Sequence, residues 1–196
     1  RRQRQMCIRD RSKAGVDPDG RTGHRYRMEA SEYLAFIPLL IYGIALADLL
    51  SQWRRFFDRD YFYLPYFLAT LLFTENAIWS VYGYLEVTSH LDGIGYFQYW
   101  AYLLQPMLFL VIVSALTPDP ENKDTEAYFI KRMPVVFGMM AVYIGSHFIA
   151  DYGEMSSLNV ARVLAILLCI VMAVSKRAWL VYVATALWLF SLYARM

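Results

Sequence analysis

Apolar and polar positions follow one another along this chain in long blocks, not in the short periods of elements with one wet face. Six blocks reach or approach the length of about 20 residues that crosses a bilayer as a helix. They cover 33–53, 62–85, 95–117, 133–152, 158–175 and 178–194. The last two are not separated by Gly or Pro. Joined, their 37 residues would make a helix about 55 Å long against a hydrocarbon core of about 30 Å. The pattern therefore predicts a turn near Lys176-Arg177 and, overall, an all-α polytopic protein: a bundle of six transmembrane helices.

The connections are short. The longest runs Pro118-Asp119-Pro120-Glu121-Asn122-Lys123-Asp124, where two prolines stop the third helix. Residues 124–132 then read as a short amphipathic lead-in to the fourth helix. No internal repeat supports an inverted-repeat transporter.

Composition agrees with the pattern. Hydrophobic residues make up 58% of the chain and charged residues 18%, against about 45–50% and about 25% in soluble domains. That excludes a soluble enzyme, a disordered linker and a disulfide-stapled secreted module. Cys7 lies in a polar stretch and Cys169 in an apolar block, so they do not form a disulfide framework.

Residues 1–27 hold nine of the nineteen Lys and Arg residues and contain no apolar run. Within them, Met6-Cys7-Ile8-Arg9-Asp10-Arg11 resembles the translation of a transposon-end adapter used in sequencing libraries. We therefore read 1–27 as a disordered, non-native basic tail, with Met28 as the ordinary start and 28–196 as the transmembrane domain. The whole chain has net charge +2. From Met28 onward ten Lys and Arg face fourteen Asp and Glu, a net of −4. The basic balance thus gives no reason to expect nucleic acid as a partner.

Orientation follows from the Lys and Arg content of the loops. Arg54, Arg55, Arg59, Lys123, Lys131, Arg132, Lys176 and Arg177 fall on one side, and Arg162 and Arg195 on the other. The first group is expected in the cytoplasm, with both native termini periplasmic. Asp48, near the same side, is expected to pair with Arg54, Arg55 or the Lys176-Arg177 turn. Trp53, Tyr61, Tyr63, Tyr84, Tyr96, Tyr152, Trp179 and Tyr193 fall near block ends, as interfacial anchors do.

Two polar groups interrupt the apolar blocks. Glu75, with Thr74 and Asn76 beside it, sits near the centre of the second block. A carboxylate at that depth costs about 2.5–3.5 kcal/mol on insertion scales. It must face the bundle interior, find a partner or give up its charge. Gln105, beside Pro106 in the third block, lies at similar depth and is the expected partner. Glu75, Asn76 and Gln105 are thus one candidate polar site, either a pathway or a helix-joining hydrogen bond.

His147 and Asp151, four residues apart on one face of the fourth helix, with Arg162 one turn into the fifth, form the second candidate. An imidazole oriented by a carboxylate suits acid–base or metal chemistry, yet zinc normally takes three protein ligands. His90, in the loop between the second and third blocks, is not placed as a third. No metal or other cofactor is expected. The plain reading is an Asp151–Arg162 ion pair with His147 as its neighbour.

Glu32-Tyr33-Leu34, Gly43, Asp48-Leu49-Leu50 and Trp53-Arg54-Arg55 resemble the first helix of a family of uncharacterised bacterial six-helix inner-membrane proteins. Leu116-Thr117-Pro118-Asp119-Pro120, Glu126-Ala127-Tyr128-Phe129 and Arg132 resemble that family's central loop. The resemblance implies a multi-pass inner-membrane address and no catalytic residues, since no activity is assigned to the family. The expected role is a non-enzymatic structural or partner subunit. Its partners would be the lipid bilayer and a membrane protein or a second copy of the chain. Two alternatives stay open. One is a small transporter or channel using Glu75 and Gln105; the other is an intramembrane metal-dependent enzyme using His147 and Asp151.

Overall fold

The computed structural model describes residues 30–58, 60–87, 95–118, 124–150 and 157–193. The basic tail 1–27, Arg59, His90, the loop residues 119–123, Asp151, Tyr152 and Arg195 lie outside them. The described chain is all-helical: α1 (Ala30–Phe56), α2 (Leu64–Val87), α3 (Tyr96–Leu116), α4 (Thr125–Ala150), α5 (Ser157–Ser175) and α6 (Leu180–Tyr193). Three helices contain segments long and apolar enough to cross a membrane: Phe36–Phe56 of α1, Tyr96–Leu116 of α3 and Thr125–Phe148 of α4. α2 spans 24 residues with Glu75 and Asn76 side by side at its centre and is not among these three. The apolar parts of α5 and α6, Asn159–Ser175 and Leu180–Phe190, are shorter than the usual span of about 20 residues.

The helices form a ring. α1 packs on α2 and α3, α4 joins α3 to α5, and α6 closes the ring between α5 and α2, while α2 also touches α4 across the middle. The outward faces carry large apolar side chains, among them Leu40, Met107, Val142, Leu164, Val171 and Leu187. Soluble monomers rarely expose apolar patches beyond a few hundred Å². The interior is aromatic. At one end Phe129 of α4 meets Tyr63, Tyr66 and Phe137, and Phe56 of α1 packs on Tyr66 and Phe67. Arg54, Arg55, Lys131 and Arg132 lie at that same end, called the basic end below. Farther along, Phe109 of α3 is in ring contact with Tyr42, Phe73 and Tyr143.

Helix ends and prolines explain several local features. Pro38 lacks an N–H and so deprives the carbonyl of Leu34, one turn earlier, of its helical partner. The Tyr99 hydroxyl of α3 donates to that carbonyl at 2.9 Å, so α3 repairs a break in α1. Near the C-terminus of α3, the Tyr128 hydroxyl lies 3.0 Å and 2.9 Å from the carbonyls of Ala115 and Thr117. Both belong to the terminal turn, where carbonyls lack intrahelical donors.

The expected lead-in at 124–132 is corrected: those residues are the start of α4 itself. The Asp124 side chain accepts the Ala127 N–H at 2.9 Å and caps the helix. The helix then continues through Pro134 without a break. α5 stops before Lys176, which takes a left-handed φ of 53°. A non-glycine residue there carries a steric cost of about 1–2 kcal/mol.

Candidate functional site

The polar side chains of α2 divide between two faces. On one, Glu75 points toward α6 and its Oε2 accepts the indole N–H of Trp188 at 2.9 Å. The expected partner, Gln105, makes no such bond. α1 stands between α2 and α3 in the ring, whereas α6 lies directly against α2. Connectivity along the chain favoured the nearer helix in sequence, and packing chose the farther one.

On the other face, the polar groups are tied to their own helix and then to α4 and α1. The hydroxyls of Thr70, Thr74 and Ser80 donate to carbonyls one turn earlier, those of Tyr66, Thr70 and Asn76, at 2.9, 2.8 and 2.7 Å. Such back-bonding satisfies a hydroxyl where no water is at hand. Ser80 Oγ also lies 3.0 Å from the Tyr143 hydroxyl, which lies 3.3 Å from the Tyr42 hydroxyl. Each hydroxyl has one proton. Because Ser80 donates its own to the Asn76 carbonyl, Tyr143 donates to Ser80, and Tyr42 donates to Tyr143. Three helices are thereby joined by a hydroxyl chain with a defined direction.

His147 continues this chain. Its Nδ1 lies 3.0 Å from the Tyr143 carbonyl. A carbonyl only accepts, so Nδ1 carries the proton and Nε2 is the basic nitrogen of the neutral ring. The imidazole also meets the Tyr143 ring edge-on at 4.9 Å, and Ser146 Oγ donates to the same carbonyl at 2.6 Å.

The two sequence candidates therefore touch, through residues that neither included. Asn76 connects by way of Ser80 and Tyr143 to His147. The available signal was spacing: Asn76 and Ser80 are four apart, as are Tyr143 and His147, so each pair shares a helix face. Gln105 stays outside this chain of bonds. Arg162 bonds Asn159 Oδ1 at 3.3 Å and sits over the Phe148 ring at 5.9 Å. Its expected partner, Asp151, lies outside the described residues. Among the described residues, no group of three or more His, Cys, Asp or Glu side chains is placed to hold a metal ion.

One buried group on this face is unmatched. Asn76 Nδ2 has no hydrogen-bond partner among the described residues. The other unmatched buried atoms are Gln52 Oε1, Trp53 Nε1, Tyr66 Oη and Thr125 Oγ1, toward the basic end.

Comparison of the chain with protein-family models, curated proteins and solved structures gives no match.

Proposed function

We propose that the chain is a six-pass protein of a bacterial inner membrane, with the basic end in the cytoplasm. On this reading it serves as a structural or partner subunit and not as an enzyme. The observation that carries it is the pairing of polar groups deep in the bundle. Glu75 is taken up by Trp188, and Tyr42, Tyr143 and Ser80 bond one another in series. Polar groups consumed in this way fix helices in place, since a lost partner at membrane depth is costly. The loop charges support the orientation, and the outward apolar faces support the bilayer as solvent.

A second reading, a small transporter, draws on Asn76, whose buried Nδ2 lacks a partner among the described residues. One experiment separates the two: reconstitution of wild type and Glu75→Gln in liposomes holding a pH-sensitive dye. A structural subunit gives no proton flux with either form. Flux in wild type that disappears in a folded Glu75→Gln variant would establish transport. For the topology, a cysteine placed at Asn122 is expected to resist impermeant thiol reagent in intact cells; rapid labelling from the periplasm would reverse the assigned orientation.

A further inference from the structure

Glu75 is the twelfth of the 24 residues of α2, and Trp188 uses one of its two carboxyl oxygens, Oε2. The other, Oε1, makes no hydrogen bond among the described residues and is not one of the buried unmatched atoms. The side chain is only half-buried. Helical spacing shows where it stands. Ile78, Trp79 and Tyr82, three, four and seven positions on, share its face, and all three are exposed. Leu64, eleven positions earlier, shares it too and is exposed as well. Phe73 and Ala77, on the opposite side, are buried. The carboxyl therefore sits on the outward face of α2, with one oxygen open.

At membrane depth this oxygen has few sources of a donor. Acyl chains carry no N–H or O–H, and the bilayer core holds no water to replace them. The chain brings no cation of its own to this level. α2, α3 and α6 contain no Lys or Arg. Arg54, Arg55, Lys131 and Arg132 lie at the basic end, and Lys176 and Arg177 lie in the turn before α6. Arg162, in the second turn of α5, is held over the Phe148 ring. A second copy in the same orientation carries the same charges at the same levels. A cation for Glu75 must come from a different molecule.

The shape of the face narrows that molecule. From Leu64 to Tyr82 it runs for about 27 Å, at about 1.5 Å per residue, which approaches the full bilayer core of about 30 Å. It is apolar along that length except for Glu75 near its middle. A small ligand would use a fraction of it, whereas a membrane-crossing helix matches all of it. A Lys or Arg halfway along such a helix brings Oε1 both an N–H and the opposite charge, and ionisable groups inside membranes pair in this way. The Trp79 and Tyr82 rings, 6.1 Å apart, add aromatic faces that attract a cation beside the carboxyl.

We propose that the outward face of α2 around Glu75 docks a transmembrane helix of another protein that carries a lysine or arginine near its middle. Oε2 stays with Trp188, which holds the carboxyl in place, and Oε1 receives the incoming cation. The proposal rests on the reading of the chain as a membrane-embedded partner subunit.

The test places the full chain in vesicles of phosphatidylethanolamine and phosphatidylglycerol. The probes are three dansyl-labelled leucine–alanine peptides of membrane-spanning length, identical except for a central Lys, Leu or Glu. Binding is read as energy transfer from the tryptophans of the chain, of which Trp79 and Trp188 flank Glu75. The Lys peptide is expected to bind about tenfold tighter than the Leu peptide, the value of about one charge-assisted contact, and the Glu peptide more weakly than either. Glu75→Gln keeps an acceptor for Trp188 and is expected to bind the Lys and Leu peptides alike. Equal binding of the three peptides by wild type overturns the proposal. So does a Lys preference that survives in Glu75→Gln. Release of the Lys peptide as the protein-to-lipid ratio rises gives the face to a second copy and overturns it too. Should Glu75→Gln fail to fold, the contrast between the Lys and Glu peptides on wild type decides the matter. A chain that alkali strips from the vesicles overturns the membrane reading, and this site with it. Proton flux in wild type that Glu75→Gln abolishes overturns the subunit reading, again with the site. A chain that inserts, passes no protons and does not select the Lys peptide overturns the docking alone.

Discussion

α2 meets its neighbours through two contrasting kinds of polar contact. Against α6 it offers one carboxylate to one indole N–H. Against α4 and α1 it offers Ser80 to a relay of two tyrosine hydroxyls, set among the rings of Phe73 and Phe109. The first arrangement is a single strong pin on a short helix. The second spreads its cost over several modest bonds and a packed aromatic cluster. Removing a member of the second disturbs three helices at once, whereas breaking the pin loosens α6 alone.

The sharpest way to break this comparison is at Tyr143, which is fully buried and touches Tyr42, Phe109, Ser80 and His147. Tyr143→Ala is expected to cost about 3–5 kcal/mol, as for other buried aromatic truncations. Equilibrium unfolding in mixed detergent micelles measures it. A loss below about 1 kcal/mol, the scale of one ordinary hydrogen bond, would mean the cluster does not hold the bundle.

The pin comes next. Glu75→Leu leaves the Trp188 N–H without an acceptor and is expected to cost about 1–3 kcal/mol. Glu75→Gln keeps an acceptor oxygen and is expected to be nearly silent. In the double variant with Trp188→Phe the losses should add to less than their sum, because the two side chains are in contact. Strict additivity would separate them. Trp188 fluorescence should respond to Glu75→Leu and not to Tyr99→Phe, which disturbs only α1 and α3.

The smallest effect is expected at the turn that delivers α6 to its place. Lys176→Gly removes the Cβ from a left-handed backbone and is expected to stabilise by less than about 1 kcal/mol, net of the added freedom in the unfolded chain. A destabilisation there would show that the Lys176 side chain holds the turn in a way its φ does not reveal.

Much of the helical layout was legible in the sequence because apolar block length is a local property. The six helices fall within a few residues of the blocks, apart from α4, whose start was read too late. Polar residues from Thr125 onward looked like a separate element, yet Asp124 caps and begins one continuous helix. The break at Lys176 was legible by the same logic: a helix of that length cannot stay within a bilayer. Glu75, Asn76 and His147 stood out because charge and polarity are conspicuous in an apolar run. Their partners did not stand out. Trp188 lies 113 residues from Glu75, and Tyr143 lies 63 from Ser80; no local pattern encodes such distances.

What the sequence alone determined is which segments are helical and apolar, and which polar groups must be satisfied within them. Both follow from the free energy of placing each residue in its own surroundings. The tertiary structure decided who satisfies whom. It set α1 between α2 and α3, so Glu75 found Trp188 and not Gln105. It brought Tyr99 to the carbonyl released by Pro38, and buried Gln52 Oε1 with no hydrogen-bond partner among the described residues. Those outcomes depend on the order of helices around the ring, which is a property of the assembled bundle and of no segment within it.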